Sequence, residues 1–329
     1  MKRSTAIWLA LGALILVAGG CVAGANFFAT QVLATGPNGP ETPATAGAPF
    51  ERVSIPSHDR SLDGYLVRAP KDCKDPPAVL IYHGFNETIS YWVQAQALLW
   101  RHCVSSLVFD PSGNGDSTRP AGVMTFMQDA PAAWSFARAR FPAPTRLYVM
   151  GHSLGDAVML QAEPDLDPQP SGVIIADSFA SLKEILVRRG ASRLLVGALP
   201  DFWDNVRSVQ KVHAPVLVVQ SDADAMTPLE DAQKVYAAAN QPKQMAVLHG
   251  FKHNGLRRHT SETWWAPVLA FVGSPGVSAA PPFVAQAEPP IAGQSSLDAE
   301  RARENALRAE AAALAPARSS APAAAPGLH

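Results

Sequence analysis

Apolar and polar positions alternate with period two from residue 50 to 70. "FERVSIPS" and "LDGYLVRA" flank a turn at His58, Asp59 and Arg60, and the pattern predicts an antiparallel pair of strands. Beyond it the alternation gives way to short runs that are almost wholly apolar, at 78–82, 104–110, 146–150, 173–177, 216–220 and 245–248. Stretches with helical spacing lie between and after them, near 90–101, 125–140, 154–162, 181–189, 228–239 and 260–272. A strand covered on both faces has no polar face to present, so "VLVVQ" and "VIIAD" read as central strands. Strand and helix in alternation predict an α/β domain over 50–273, with a mostly parallel eight-stranded sheet and helices on both faces.

The flanks have different patterns. Residues 34–49, "ATGPNGPETPATAGAP", carry no periodicity and read as a linker. Residues 274–329 turn to Ala, Pro and Ser; "SLDAERARENALRAEAAALAPA" has helix-forming residues but an apolar face of little more than alanine, so this part reads as a disordered tail with transient helix. At the other end, Lys2 and Arg3 precede an uncharged apolar run that begins at Ala6. That run extends over roughly 20 residues, longer than a signal-peptide core, and predicts a membrane anchor within residues 1–33 with the basic pair kept cytoplasmic. The domain would then lie on the extracytoplasmic side; a lipoprotein modified at Cys21 and a secreted protein are the alternatives.

Composition narrows the partners. The chain has 329 residues, is 47% hydrophobic and 17% charged, and carries a formal net charge of -1. No basic stripe is present that would release counterions from a nucleic acid, so none is expected as a partner. No His or Cys cluster has metal-ligand spacing, and neither metal nor cofactor is expected. Export to an oxidising compartment would permit a bond between Cys73 and Cys103, each of which precedes a predicted strand; two buried thiols are the alternative.

The chemistry is concentrated at "YVMGHSLGDAV", where a predicted strand runs into Gly-His-Ser-Leu-Gly and directly on into a predicted helix. Such a corner exposes its serine, and glycine at 151 and 155 leaves room for the tight turn. Ser153 is therefore the candidate nucleophile, with the helix N-terminus directed at a developing oxyanion. A serine needs a base, and the base needs an acid to hold its tautomer. His253 lies in a loop after the last of the six runs; His249 directly continues that run and is read as structural, while His152 is expected to point away and pack. "VVQSDADAMTP" ends a strand with Asp222 and Asp224, and either could reach; Asp224 sits deeper in the loop and is preferred. The order Ser, Asp, His is the one expected of α/β hydrolases.

From about residue 50 to 272 the chain resembles serine hydrolases of the α/β-hydrolase superfamily, and within them membrane-anchored bacterial hydrolases and depalmitoylase-like relatives. The matching stretches are "IYHGFNE", "LVFDPSGNGDS", "GHSLG", "DSFASL", "PVLVVQSDADAMTP" and "GFKHNGL". The resemblance implies that Asp224 occupies the acid position and His253 the base position. It also implies an oxyanion hole made by the backbone N–H groups of Phe85 and Leu154 and adjacency of the strands that follow the two cysteines. Asp156 stands where relatives often carry glycine, and an acid in a first helical turn suits the dipole.

A small lid is expected between 178 and 214, bearing Leu182, Ile185, Leu186, Leu194, Leu195, Phe202 and Trp203. With Phe85, Tyr91, Trp92 and Met226, Phe202 and Trp203 form the expected apolar pocket for a small-molecule or lipid-like acyl substrate. Hydrolysis of an acyl ester or thioester is the favoured reading. A peptidase using the same residues, and a membrane-tethered scaffold with idle ones, are the alternatives.

Overall fold

The computed structural model describes residues 33–253, 255–258, 262–273 and 283–286. The anchor expected within 1–33 lies outside these except for Leu33. Among the described residues no helix is long and apolar enough to cross a membrane.

The first eight strands are β1 (Glu51–Ser57), β2 (Arg60–Val67), β3 (Ala78–Tyr82), β4 (Ser105–Phe109), β5 (Leu147–His152), β6 (Val173–Ala176), β7 (Val216–Ser221) and β8 (Lys243–His249). They form one sheet in the order β1-β2-β4-β3-β5-β6-β7-β8. β1 and β2 are antiparallel, β2 meets β4 antiparallel, and every later pairing is parallel. The predicted eight strands are all present. A ninth, β9 (Phe283–Gln286), pairs in parallel with β8, so the sheet continues into a stretch read from its composition as tail. Its four residues, "FVAQ", are the apolar interruption of that Ala/Pro-rich stretch, and the edge of β8 offers them a row of free backbone partners.

Both faces of the sheet are covered, and the alternation of side chains explains how one apolar run serves two cores. Leu80, Tyr82 and Val149 point to one side, where they join Phe126 and Trp134 of α2 (Val123–Arg140) and Val158 and Met159 of α3 (Leu154–Ala162). Val79, Ile81, Tyr148 and Met150 point to the other, against Leu98 and Leu99 of α1 (Val93–Arg101).

Residues 34–49 do not behave as a free linker. Gly39 N donates to Ser90 Oγ at 3.0 Å, Thr35 N to Gly113 O at 3.3 Å, and Ala48 is fully buried. The physical reason is that this stretch satisfies its backbone groups on two loops of the domain. Cys73 and Cys103 are joined, with their Cα atoms 5.6 Å apart. The strands that follow them, β3 and β4, are neighbours with Ala78 opposite Ser105.

After β6 come three short helices, α4 (Leu182–Arg188), α5 (Arg193–Gly197) and α6 (Asn205–Val209). Ser181 and Asp204 cap the first and third by accepting from Glu184 N at 3.2 Å and Arg207 N at 3.0 Å. Leu194 and Leu195 are exposed, whereas Trp203 is buried in the core. Beyond β7 lie α7 (Leu229–Ala238), then α8 (Gly255–Arg258) and α9 (Glu262–Gly273).

Candidate active site

β5 ends at His152 and α3 begins at Leu154, so Ser153 alone makes the corner, at φ 53° and ψ -114°. This left-handed backbone is costly for a residue with a Cβ and persists only where its surroundings fix it. The fixing contacts are on both sides. Ser153 N donates to Ala176 O at 2.9 Å. At Gly155 a Cβ would lie 2.0 Å from Tyr82 O, so only glycine lets α3 start this close to β3. On the loop after β3, a Cβ at Gly84 would lie 3.3 Å from that of Ser153. The stretch that holds Phe85 therefore abuts the serine, and Leu154 opens α3 beside it, which places both residues whose amides the resemblance assigns to an oxyanion hole around one corner. His83 steadies this loop through a 3.0 Å contact from Nε2 to Asp110 Oδ1.

The loops after β7 and β8 bring in the acid and the imidazole. Asp224 Oδ2 lies 2.7 Å from His253 Nδ1. Its other interactions hold it ionised: Oδ1 accepts from Met226 N at 2.7 Å and Thr227 N at 3.0 Å, and Oδ2 accepts from Thr227 Oγ1 at 2.6 Å. Burial pushes the carboxyl upward, but His253 and Thr227 overcome it and hold the group below its ordinary value. The His253 ring centroid is 5.6 Å from that of His152, the residue next to Ser153, so imidazole and serine share the same end of the sheet. His249 pairs instead with Asp222 through Nδ1 and Oδ2, as a structural histidine would.

Sequence reasoning missed what lies beneath this set. His152 does not merely pack: its Nδ1 is 3.2 Å from Glu87 Oε1 and its Nε2 3.5 Å from Asp177 Oδ2. Burial opposes a charge on His152, but Glu87 and Asp177 outweigh it and lift the group to about 10. Glu87 is held well below its usual range; its burial is overcome by Arg257 first and His152 next. Asp156, expected to complement the helix dipole as an anion, is instead fully buried, and desolvation raises it well above the carboxylate range. Its Oδ1 accepts from Ala176 N at 3.2 Å. A neutral acid here packs against Gly151, where a Cβ would lie 2.5 Å from Asp156 Cα.

The expected pocket residues fare differently. Trp92 is fully buried, donates Nε1–H to Glu87 Oε2 at 3.0 Å and meets His152 edge to face. Trp203 is also core, Phe202 packs half-buried against it from the stretch between α5 and α6, and Tyr91 lies under the Arg257 guanidinium at 4.8 Å. Met226 is exposed beside Asp224. None of these five lines the pocket that opens at the site. That pocket, a narrow one of about 20 Å³, lies between Leu33, Tyr82, Phe109, Phe126, Leu154 and Val158, with Gly84 and Phe85 also in its lining. Most of its apolar walls come from β3, β4, α2 and α3, at positions that in sequence look like ordinary core, and His83 and Asn114 add polar groups. Asp177, Asp224 and His253 offer ligand atoms within 4.8 Å of one another, yet two of these three already serve the acid–imidazole pair and hydrogen bonds account for much of their capacity.

The strand order, the left-handed serine between strand and helix, and the acid and imidazole on the loops after β7 and β8 give the chain the α/β-hydrolase fold. Residues 75–207 match the family model described as serine aminopeptidase, S33. An uncharacterized protein of Mycobacterium tuberculosis is 28% identical over 179 residues, 54% of this chain. The match spans 63% of that relative's length. A lysophosphatidylserine lipase, ABHD12 of Danio rerio, is 26% identical over 188 residues, covering 51% of this chain and 49% of the lipase. Among solved structures, the Pyrococcus furiosus esterase Pf2001 superimposes with a TM-score of 0.58 at 17% identity, over 72% of this chain and 94% of the esterase.

Proposed function

We propose that the chain is a serine hydrolase that cleaves acyl esters or thioesters through an acyl-Ser153 intermediate. The observation that carries this reading is the Asp224–His253 contact of 2.7 Å on the same end of the sheet as a left-handed Ser153, whose neighbours Gly84 and Leu154 line an apolar pocket. Asp224 accepts a hydrogen bond from Nδ1–H of His253, which fixes the tautomer and leaves Nε2 as the base. Ser153 Oγ attacks the acyl carbon as its proton passes to Nε2, and the carbonyl oxygen becomes an oxyanion facing the N–H groups of Phe85 and Leu154. Collapse breaks the bond to the alkoxide or thiolate, which leaves with the proton from His253. A water, deprotonated by the same nitrogen, then releases the carboxylic acid and restores Ser153.

An acyl chain that parted Tyr82, Phe109, Phe126 and Val158 to enter this narrow pocket would gain about 0.8 kcal/mol per buried methylene, which favours acyl groups over the amine terminus of a peptide. The esterase and lipase names borne by the similar proteins support the same preference. A Cys73–Cys103 disulfide and the basic-then-apolar N-terminus support a domain tethered on the extracytoplasmic side.

The test is labelling with a fluorophosphonate probe together with turnover of p-nitrophenyl esters and aminoacyl p-nitroanilides. Wild type is expected to label and to turn over esters, and Ser153→Ala to do neither. Undiminished labelling of Ser153→Ala rejects the nucleophile, and turnover confined to the anilides replaces the esterase with a peptidase.

A further inference from the structure

Two loops with separate tasks meet in a buried ion pair that neither task requires. The first, between β3 and α1, carries the Phe85 amide; the second, between β8 and α8, carries His253. Arg257, four residues beyond His253 in α8, places Nε 2.9 Å from Glu87 Oε1, and its guanidinium lies 4.8 Å from the ring centroid of Tyr91. Both contacts fall on the first loop. Glu87 in turn gathers that loop around itself: Oε2 accepts from Gly84 N at 3.0 Å and from Trp92 Nε1 at 3.0 Å, so one carboxylate ties both ends of the segment that displays Phe85. Oε1 also faces His152 Nδ1 at 3.2 Å, which fastens the loop to the residue before the nucleophile. Glu87 is 3% exposed and Arg257 8%.

Such a pair is a poor device for stability alone, because apolar residues of the same volume often serve a core as well or better. What it does supply is direction. The close approach to Glu87 and the stacking on Tyr91 hold the guanidinium on the first loop at two points, whereas apolar side chains slide. The cluster is balanced as well, with Arg257 and His152 against Glu87 and Asp177, so it holds its charges without drawing water to the site.

We propose that Glu87 and Arg257 are positioning residues that clamp the loop bearing His253 onto the loop bearing the Phe85 amide, fixing the distance between base and oxyanion hole. The proposal rests on the hydrolase reading above. Neither residue touches the reacting atoms; each acts through the residue it places.

The test uses the full chain in detergent and three variants: Arg257→Met, the uncharged pair Glu87→Gln/Arg257→Met, and Arg257→Lys. The double variant removes the clamp without stranding a buried charge, so it remains informative if Arg257→Met fails to fold. Two readouts are needed: kcat and KM for p-nitrophenyl butyrate, and amide hydrogen exchange followed peptide by peptide. A misplacement of the base on the order of 1 Å predicts a kcat about 100-fold lower in the double variant. KM should change much less than kcat, because the pocket walls at Tyr82, Phe109, Phe126 and Val158 lie outside the loosened loops. Exchange should quicken in 83–92 and 250–258 and nowhere else, and Arg257→Lys should recover part of kcat. An unchanged kcat in the double variant overturns the proposal, and so does exchange that rises along the whole domain as kcat falls. If wild type shows no Ser153-dependent turnover, the hydrolase reading fails by itself, and the exchange pattern still decides whether the two loops are clamped.

Discussion

Asp224 and His253 meet through Oδ2 and Nδ1 at 2.7 Å, while two residues before that acid and four before that histidine, Asp222 and His249 make a second pair of the same kind. The neighbouring ends of β7 and β8 thus hold two acid–imidazole couples. They differ in burial: Asp224 is 3% exposed and its couple stands beside the His152–Ser153 corner, whereas Asp222 and His249 lie at the surface.

That difference predicts unequal effects of the same substitution. Asp224→Asn cannot fix the Nδ1 tautomer or offset the imidazolium, and kcat for an ester should fall about 10⁴-fold with the fold retained. Asp222→Asn should leave kcat within about twofold, since a surface pair of this kind contributes little. Steady-state kinetics on both variants, with circular dichroism as the folding control, checks the assignment. Equal losses would mean that the acid has been misassigned.

Pocket shape makes a second prediction. Val158 lies on α3 and faces the pocket with Phe126 and Phe109. Val158→Phe should shorten the space, and each methylene it excludes should lower kcat/KM about fourfold. Across p-nitrophenyl esters from acetate to octanoate, the variant should match wild type at the short end and fall progressively behind with length. A uniform loss at all lengths would place the acyl group elsewhere.

The reasons why the strands and the acid–imidazole pair were legible in the sequence are local. A buried parallel strand is apolar at every position, and the corner at Ser153 and the loop at Asp224 are each spelled out within a few adjacent residues. Tyr82, Phe109, Phe126 and Val158 gave no such sign, because an apolar residue lining a pocket obeys the same periodicity as one in the core. Aromatic residues near strand ends were taken instead, and Trp92 and Trp203 are core. Glu87 and Arg257 are 170 positions apart, so no spacing rule connects them. His152 was read as packing since its partners, Glu87 and Asp177, come from two other loops. The strand at Phe283–Gln286 was hidden by the composition around it.

The disulfide joins positions 30 residues apart. Closing a loop of that size should restrict the unfolded chain by about 3–4 kcal/mol in the chain-entropy account. Cys73→Ser/Cys103→Ser should therefore lower the denaturation midpoint while leaving ester kcat near wild type, because the bond lies at the far end of β3 and β4 from Ser153. Reductant should shift the wild-type midpoint the same way and leave the variant unmoved. A variant as stable as wild type would argue that the bond contributes nothing.

Glu163 gives a pH prediction whose sign can be worked out. It caps the end of α3, is fully buried, and among the described residues neither of its carboxyl oxygens has a hydrogen-bond partner. Burial pushes it from 4.5 up to about 7. Between those values the folded chain keeps a proton that the unfolded chain has lost, so stability must decrease as pH rises through the interval and level off above it. Glu163→Gln has no proton to lose; its stability should fall less steeply than that of wild type over the same range, the difference reaching up to about 3 kcal/mol at pH 8. Urea unfolding followed by tryptophan fluorescence at intervals from pH 5 to 8 compares the two slopes. Parallel curves for wild type and variant would show that Glu163 ionises in the folded protein as freely as it does in the unfolded chain.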